Sequence, residues 1–528
     1  MSSVEELDEL YRVRYLQSCN EDVEKPVFGD LKGEIPKWIK GSLLRNGPGC
    51  YEFGTEKYQH YFDGTGMLHK FSIFDGQATY MNKLLKCESF KENINANRIV
   101  VNQFGTSAYP DPCMTLFQRF MSWFSVHELS DNANVNLVKY SDKIYASTET
   151  PYMYNVNCET LCTGEKLDVS KYTSVFVHTA HAHSLRDGKT LNFGLGYYFG
   201  GSAYKLIEFP AENGIEVFQK AKTLATIPSR WRLHPSYFHS FCVTENYVIF
   251  IEQSLVISIP ALAGIFYKQF SFSQSLQYEN EKVIFHVIDK QNGQRVNKKF
   301  TSEPFFFFHS VNSYEENENI VLDLCCYNNS ELIESFDRSY RKPNTIFGHR
   351  KSFLKRFVLP LIDKTLLKKG ENMVMLESCK AEAKLLQDGS IDCIPEIYDL
   401  QGHSIELPQI NYAVFNGKKY RYAYGVGAKY EFDEEEWVLK LLKFDLKTKE
   451  LKTWFCYGLL PSEPVFIPHP DAETEDHGVI LSSVLSLDTM NFVCLLIMDA
   501  QNFTEIARVT FKTPNAIPKD IHGIFLND

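Results

Sequence analysis

The apolar positions of this chain fall in short runs of β-branched and aromatic residues, interrupted every few positions by Gly, Asn or Asp. Examples are KLIEF (205–209), NYVIFIEQSLVISI (246–259), NIVLDLCCY (319–327), WVLKLLKFDLKTKELKTWF (437–455) and GVILSSVLSLDTMNFVCLLIMDAQNFTEIARV (478–509). Several of these read as strand, turn, strand, with DLKTKEL (445–451) and DAQNFTEI (499–506) as the turns. Long stretches of 3.6-residue periodicity are missing, so the pattern predicts an all-β protein. Hairpins that recur over the whole length without a Pro- or Ser-rich linker fit blades around one axis better than a string of sandwiches. No crisp sequence repeat marks the blades.

Helix is expected in three places: the first 20 residues, about 112–126 and about 258–275. In the second, PDPCMTLFQRFMSWF (110–124), the residues Met114, Leu116, Phe117, Phe120, Met121, Trp123 and Phe124 gather on one broad apolar face. Such a face packs on a core or lies in a membrane interface, where Cys113 would be a site for acylation. The segment ALAGIFYKQF (261–270) would extend the same patch.

Composition narrows the partners. The 528 residues carry a formal net charge of −11 and no long basic run, so nucleic acid is an unexpected ligand. The amino terminus MSSVEELDELYRVR lacks a signal-peptide pattern, and the longest nearly apolar run, VISIPALAGIFY (256–267), is too short to span a bilayer. A cytosolic protein is expected. The 13 cysteines are odd in number and scattered, with Cys158 and Cys162 in a C-x-x-x-C, Cys325 beside Cys326, and no C-x-x-C. They read as free thiols in a reducing compartment.

The candidate chemistry lies in histidine. VHTAHAHSL (177–185) holds His178, His181 and His183. In a regular strand His181 and His183 would share a face and His178 would take the other, so one strand supplies at most two ligands to one metal. The only nearby carboxylate, Asp187, completes no facial triad, and a lone histidine in such a place is more often a structural hydrogen-bonder. Three more histidines sit in or beside apolar runs: His239 in PSYFHSF, His309 in PFFFFHSVNSYEE and His522 in DIHGIF. From His181 onward they are 58, 70 and 213 residues apart in turn, too wide for a finger or a zincin helix but suited to delivery from separate blades to an axis.

Ordered along the chain are GSLLRNGPG (41–49), HYFDGTGMLHKF (60–71), YPDPC (109–113), NVNLVKYSDKIYASTET (134–150), TAHAH (179–183), PSYFHSF (235–241), FFHSVNSYEE (307–316), ELPQINY (406–412), YAYGVG (422–427), PSEPVFIPHPDA (461–472) and IHGIF (521–525). Together they resemble the carotenoid cleavage oxygenases, and within them the animal branch, over essentially the entire chain. The resemblance implies a single domain spanning 1–528, a seven-bladed β-propeller with a helical and loop cap over an axial iron site. It implies that Fe(II) is held by His181, His239, His309 and His522, not by His178 or His183. It also implies that Glu149, Glu406 and Glu463 orient three of these rings, with His239, His309 and His522 as their expected partners. Neutral imidazoles suit Fe(II) and leave positions open for O2 and substrate, while a glutamate on the remote N–H fixes the tautomer and supplies negative charge.

The activity this implies is cleavage of a carotenoid double bond by O2 to aldehydes, foremost at the central 15,15′ bond to give retinal, with coupled trans-to-11-cis isomerisation open. Eccentric 9′,10′ cleavage and retinyl ester isomerohydrolysis share the iron residues. After DLCC this chain has Tyr327 where the isomerohydrolases carry Trp, which favours a cleaving oxygenase. A non-catalytic carotenoid carrier is the reading from a different class, and intact motifs argue against it. The implied partners are a carotenoid, O2 and a membrane surface touched at about 109–126 and 258–272, with peripheral membrane association of a cytoplasmic protein. The run FFFF before His309 would bring apolar bulk to the metal.

Overall fold

The computed structural model describes residues 4–108, 129–262, 271–340, 351–362, 369–377, 379–431 and 436–527. Among these, seven antiparallel-rich sheets of four to six strands account for nearly all regular structure, and two small two-stranded ribbons complete it. The expected helix near the amino terminus runs over Val4–Tyr15. The expected helix at 112–126, with Cys113, lies outside the described residues. Of the stretch expected at 258–275, one helical turn to residue 262 and the 3-10 turn Phe272–Ser275 are described.

Each sheet is one blade. In chain order of their inner strands they are built around Asn136–Tyr140, Val177–His178 with His183–Ser184, Cys242–Val243, Phe306–Glu316, Glu406–Gln409, Val465–Pro468 and His522–Asn527. These are termed the second to seventh blades and then the first, because the last strand, His522–Asn527, joins Gly41–Cys50 in the blade that opens the chain. The strand Asp30–Gly33 likewise crosses to pair with Thr504–Lys512 of the seventh blade. Two neighbouring blades are thus each completed by strands from both ends of the sequence, which closes the ring and removes an open edge.

The short apolar runs follow from this arrangement. A middle strand has a neighbouring blade on each face, so both of its sides must be apolar. Gly478–Ser486 and Asn319–Tyr327 are buried at every position, whereas the outermost strand Val23–Phe28 is mostly exposed. The core is therefore a set of wedges between blades. Leu44 and Leu68 meet Leu137 and Tyr154 at one seam, Phe193 and Tyr204 meet Phe241 and Phe250 at another, and Leu43 and Phe71 meet Leu481 and Leu495 where the ring closes. Tight turns join the strands. Asp75 and Gly76, both with positive φ, link Thr65–Phe74 to Gln77–Leu84 in the geometry that matches strand twist. No helix among the described residues is long and apolar enough to cross a membrane. The twelve described cysteines are all free.

Ring closure generates a test. A Cβ on Gly523, in the closing strand, would lie 2.2 Å from the Leu44 carbonyl oxygen and 2.6 Å from Arg45 Cδ. Gly523→Ala is expected to force the strand away from Gly41–Cys50 and to lower the midpoint of thermal unfolding, by the equivalent of about 1–3 kcal/mol. An unchanged midpoint would show that the closing strand is not held at this distance.

Candidate metal centre

His181, His239, His309 and His522 meet on the propeller axis, each offering one ring nitrogen, with these atoms all within 4.8 Å of one another. The Nε2 atoms are separated by 2.9 Å between His181 and His239, 3.2 Å between His239 and His309, and 3.2 Å between His309 and His522. They come from the third, fourth, fifth and first blades. His309 lies in Phe306–Glu316 and His522 opens His522–Asn527, but His239 sits in irregular chain three residues before Cys242–Val243.

His181 departs from the expected strand geometry. His178 pairs with Gly194 and His183 with Leu191, so the four residues 179–182 face only two, 192 and 193. This excursion leaves the ladder, and alternation of faces no longer applies: His181 turns to the axis while His183 turns elsewhere. His183 contacts Tyr412 and the Phe241 carbonyl, and the buried His178 donates from Nδ1 to the Thr179 carbonyl at 2.8 Å. Neither joins the cluster.

The three glutamates come from the remaining blades. Nδ1 of His239 donates to Glu149, which follows Lys143–Ser147 of the second blade. Nδ1 of His309 donates to Glu406 Oε2 at 2.6 Å, from the sixth blade, and Nδ1 of His522 donates to Glu463 Oε1 at 2.8 Å, from the seventh. Each of the seven blades contributes one of the seven residues. The hydrogen bonds also fix the chemistry of the other nitrogen. A ring that carries its proton on Nδ1 presents a lone pair at Nε2, so the facing Nε2 atoms of His239, His309 and His522 cannot hydrogen-bond one another. Converging lone pairs repel unless a cation lies between them. Imidazole nitrogens about 2.1 Å from one ion and at right angles to each other are about 3.0 Å apart, close to the spacings seen. The donor set fits a transition-metal ion.

Burial favours the neutral form of three of the rings. Burial drives His181, His239 and His522 below the ordinary imidazole range, His522 to about 4. Burial pushes Glu463 up, but His522 and Arg45 outweigh it and hold the carboxyl at about 2. At pH 7, where His522 is neutral, it contributes a hydrogen bond and Arg45 the positive charge beside Glu463. Arg45 is fully buried and donates to Glu463 Oε2 at 2.7 Å, Asp520 Oδ2 at 2.9 Å and the Ile521 carbonyl at 2.8 Å. Gln409 and the Gly523 amide complete the shell of Glu463 at 3.0 Å each. Tyr237 donates its hydroxyl to Glu149 at 2.9 Å. Arg45, Gln409 and Tyr237 were not singled out from the sequence. The signals for two of them are local: an arginine inside the apolar run GSLLRNGPG must be buried with a carboxylate, and Tyr237 stands two residues before His239.

A cavity of about 620 Å³ opens onto His239, His309 and His522 and is walled largely by aromatic and aliphatic side chains, among them Phe62, Phe104, Phe238, Phe308, Phe336 and Tyr327. The FFFF run divides by strand alternation. Phe308 stacks edge-on against His239 with Phe306 behind it, and Phe305 and Phe307 pack into the blade core. Only part of that run brings apolar bulk to the cluster.

The chain is similar to known proteins along nearly its whole length. Residues 16–527 match the family described as retinal pigment epithelial membrane protein. The chain is 40% identical over 520 residues to the mitochondrial carotenoid-cleaving dioxygenase of Mustela putorius furo, covering 96% of this chain and 95% of the relative. It is 37% identical to the human beta,beta-carotene 15,15′-dioxygenase, covering 96% and 93%, and 35% identical to the carotenoid isomerooxygenase of Galleria mellonella, covering 97% and 96%. Among solved structures, the cobalt-substituted apocarotenoid oxygenase of Synechocystis superposes with a TM-score of 0.77 at 22% identity, over 99% of each chain, and shares the fold. The match along nearly the whole length means that the chain belongs to the retinal pigment epithelial membrane protein family of carotenoid oxygenases.

Proposed function

We propose that this protein is a non-haem iron(II) dioxygenase that cleaves a carotenoid double bond with O2, giving aldehydes, with the central 15,15′ bond as its target. The observation that carries the proposal is four imidazole nitrogens converging where an aromatic cavity ends. Its nearly full-length likeness to carotenoid-cleaving relatives supports the substrate class. Tyr327, whose hydroxyl lies beside Glu406, stands where the isomerohydrolase pattern carries Trp and supports a cleaving oxygenase.

His181, His239, His309 and His522 would hold the ion, and Glu149, Glu406 and Glu463 would keep three of the rings in the Nδ1–H tautomer. Ferrous iron bound there supplies electrons and open coordination positions for O2. The protein's own part is to position and to exclude. Phe308, against His239, with Phe62 and Phe104 beside it, presents apolar surface that admits a polyene and keeps water away. Aromatic faces also stabilise positive charge on a conjugated chain. A carotenoid has almost no aqueous concentration, so delivery from a membrane surface by a peripherally associated protein belongs to the same proposal. Phe199, 84% exposed at the tip of the hairpin that carries Tyr197 into the cavity wall, supports it.

Three outcomes are expected. Iron-replete protein given β-carotene in detergent under O2 should release all-trans C20 aldehyde; an equal share of the 11-cis isomer would mark coupled isomerisation, and coloured substrate retained without aldehyde would mark a carrier and overturn the proposal. Glu149→Gln and Glu463→Gln should each weaken iron retention about 10- to 100-fold, measured by metal analysis after dialysis. Glu463→Gln should also lower thermal stability, because it removes one of the two carboxylates that pair with Arg45. Finally, the unfolded chain takes up protons near pH 6.5 whereas folded His522 does so near 4, so acid favours unfolding. Metal-free protein should lose stability progressively as the pH falls from 6.5 towards 4, and bound metal should deepen that dependence because protons compete for the same nitrogens.

A further inference from the structure

Of the four converging histidines, His181 alone has no carboxylate hydrogen-bonded to its ring among the described residues. The other three rings are each held at Nδ1 by a glutamate. His181 also sits off any strand, on the excursion 179–182 that leaves the ladder of the third blade. An imidazole on such a segment should drift, yet its Nε2 lies 2.9 Å from that of His239, the shortest of the three spacings.

The restraint comes from the backbone at both ends of the excursion. At its start, Thr179 Oγ1 donates to Asn192 Oδ1 at 2.6 Å and accepts the His181 amide at 3.1 Å, while Asn136 of the second blade donates to the Ala180 carbonyl at 2.8 Å. At its end stands His183. The Phe241 carbonyl can only accept, so His183 Nε2 carries the proton and donates to it at 3.1 Å. Nδ1 is then the acceptor for the Tyr412 hydroxyl at 2.9 Å. Tyr412 belongs to the short helix Tyr412–Phe415 of the sixth blade, and Phe241 follows His239 by two residues in the fourth. One side chain therefore ties the segment bearing His181 to the segment bearing His239 and to a blade across the axis.

We propose that His183 is a positioning residue for His181, a clamp across three blades that does for this imidazole what a glutamate does for each of the others. The two devices differ in kind. A carboxylate orients its ring directly, whereas His183 fixes the stretch of chain from which the ring projects and sets its distance from His239. The second histidine of the H-x-H element thereby has a function without touching the metal. This inference rests on the metal-binding role of the four histidines proposed above.

The test uses cobalt(II) as the probe in the full chain, because its visible absorption bands report coordination geometry. Wild type, His183→Phe and Tyr412→Phe are compared for the cobalt spectrum and for cobalt retained against a chelator, with circular dichroism and the unfolding midpoint as controls for folding. His183→Phe is expected to fold, to shift the cobalt bands and to lose retention about 10- to 100-fold, as removal of an orienting partner does. Tyr412→Phe, which deletes one oxygen and leaves the bond to Phe241, should move both readouts in the same direction by less, and it keeps the test decisive if His183→Phe fails to fold. A wild-type spectrum and wild-type retention in a folded variant overturn the inference. Failure of the wild-type chain to bind cobalt overturns instead the metal reading on which it rests.

Discussion

Nitrogen lone pairs that face one another at 3.2 Å repel, and the architecture of this protein is organised around holding several of them in that arrangement. No single element could do so. Neighbouring positions on one strand diverge, and a helix presents at most two histidines to one point. A ring of seven blades solves the geometry by bringing one residue from each to a common axis: histidines from the first, third, fourth and fifth, glutamates from the second, sixth and seventh. Those glutamates are the counterpart of the repulsion, since each pins a proton to the outer nitrogen and so aims the lone pair inward.

The carboxylates are not equivalent. Glu463 is buried, ion-paired to Arg45 and supplied with further donors by Gln409 and the Gly523 amide. Asp520 shares Arg45, lies beside the buried Lys519 cation and accepts from Ser483. Glu149 and Glu406 stand at the cavity, each with a histidine ring as its hydrogen-bond donor. Imidazoles that offer a lone pair bring no charge, so four carboxylates set against Arg45 and the buried Lys519 leave two negative charges, the complement of a divalent ion. Apolar walls around that pair of charges strengthen their pull on a cation, because little water screens them.

Much of this was legible in the chain. Runs buried on both faces, such as NIVLDLCCY, announce strands sandwiched between blades, and histidines embedded in PSYFHSF, FFFFHSV and DIHGIF announce buried imidazoles that need partners. What strand alternation could not give was the behaviour of residues 179–182. Two residues more than the opposing strand accommodates push His181 out of register, and periodicity has no term for that. Alternation did apply to FFFF, where it sends Phe306 and Phe308 one way and Phe305 and Phe307 the other. The third tier of support was also hidden. Nothing in the spacing of Arg45 and Glu463 foretells their contact, because 418 residues separate them and only closure of the ring brings them together.

That closure has a temporal side. His522 belongs to a strand whose partner is Gly41–Cys50, and Arg45 reaches the Ile521 carbonyl across 476 positions of sequence. Contacts of such span form late, since the entropy of closing so long a loop is met only when most of the intervening blades already exist. The axial cluster therefore cannot act as a folding nucleus in the manner of a zinc finger, whose metal gathers a disordered chain. A cluster that exists only once the ring is closed would receive an ion into a vestibule already shaped for it.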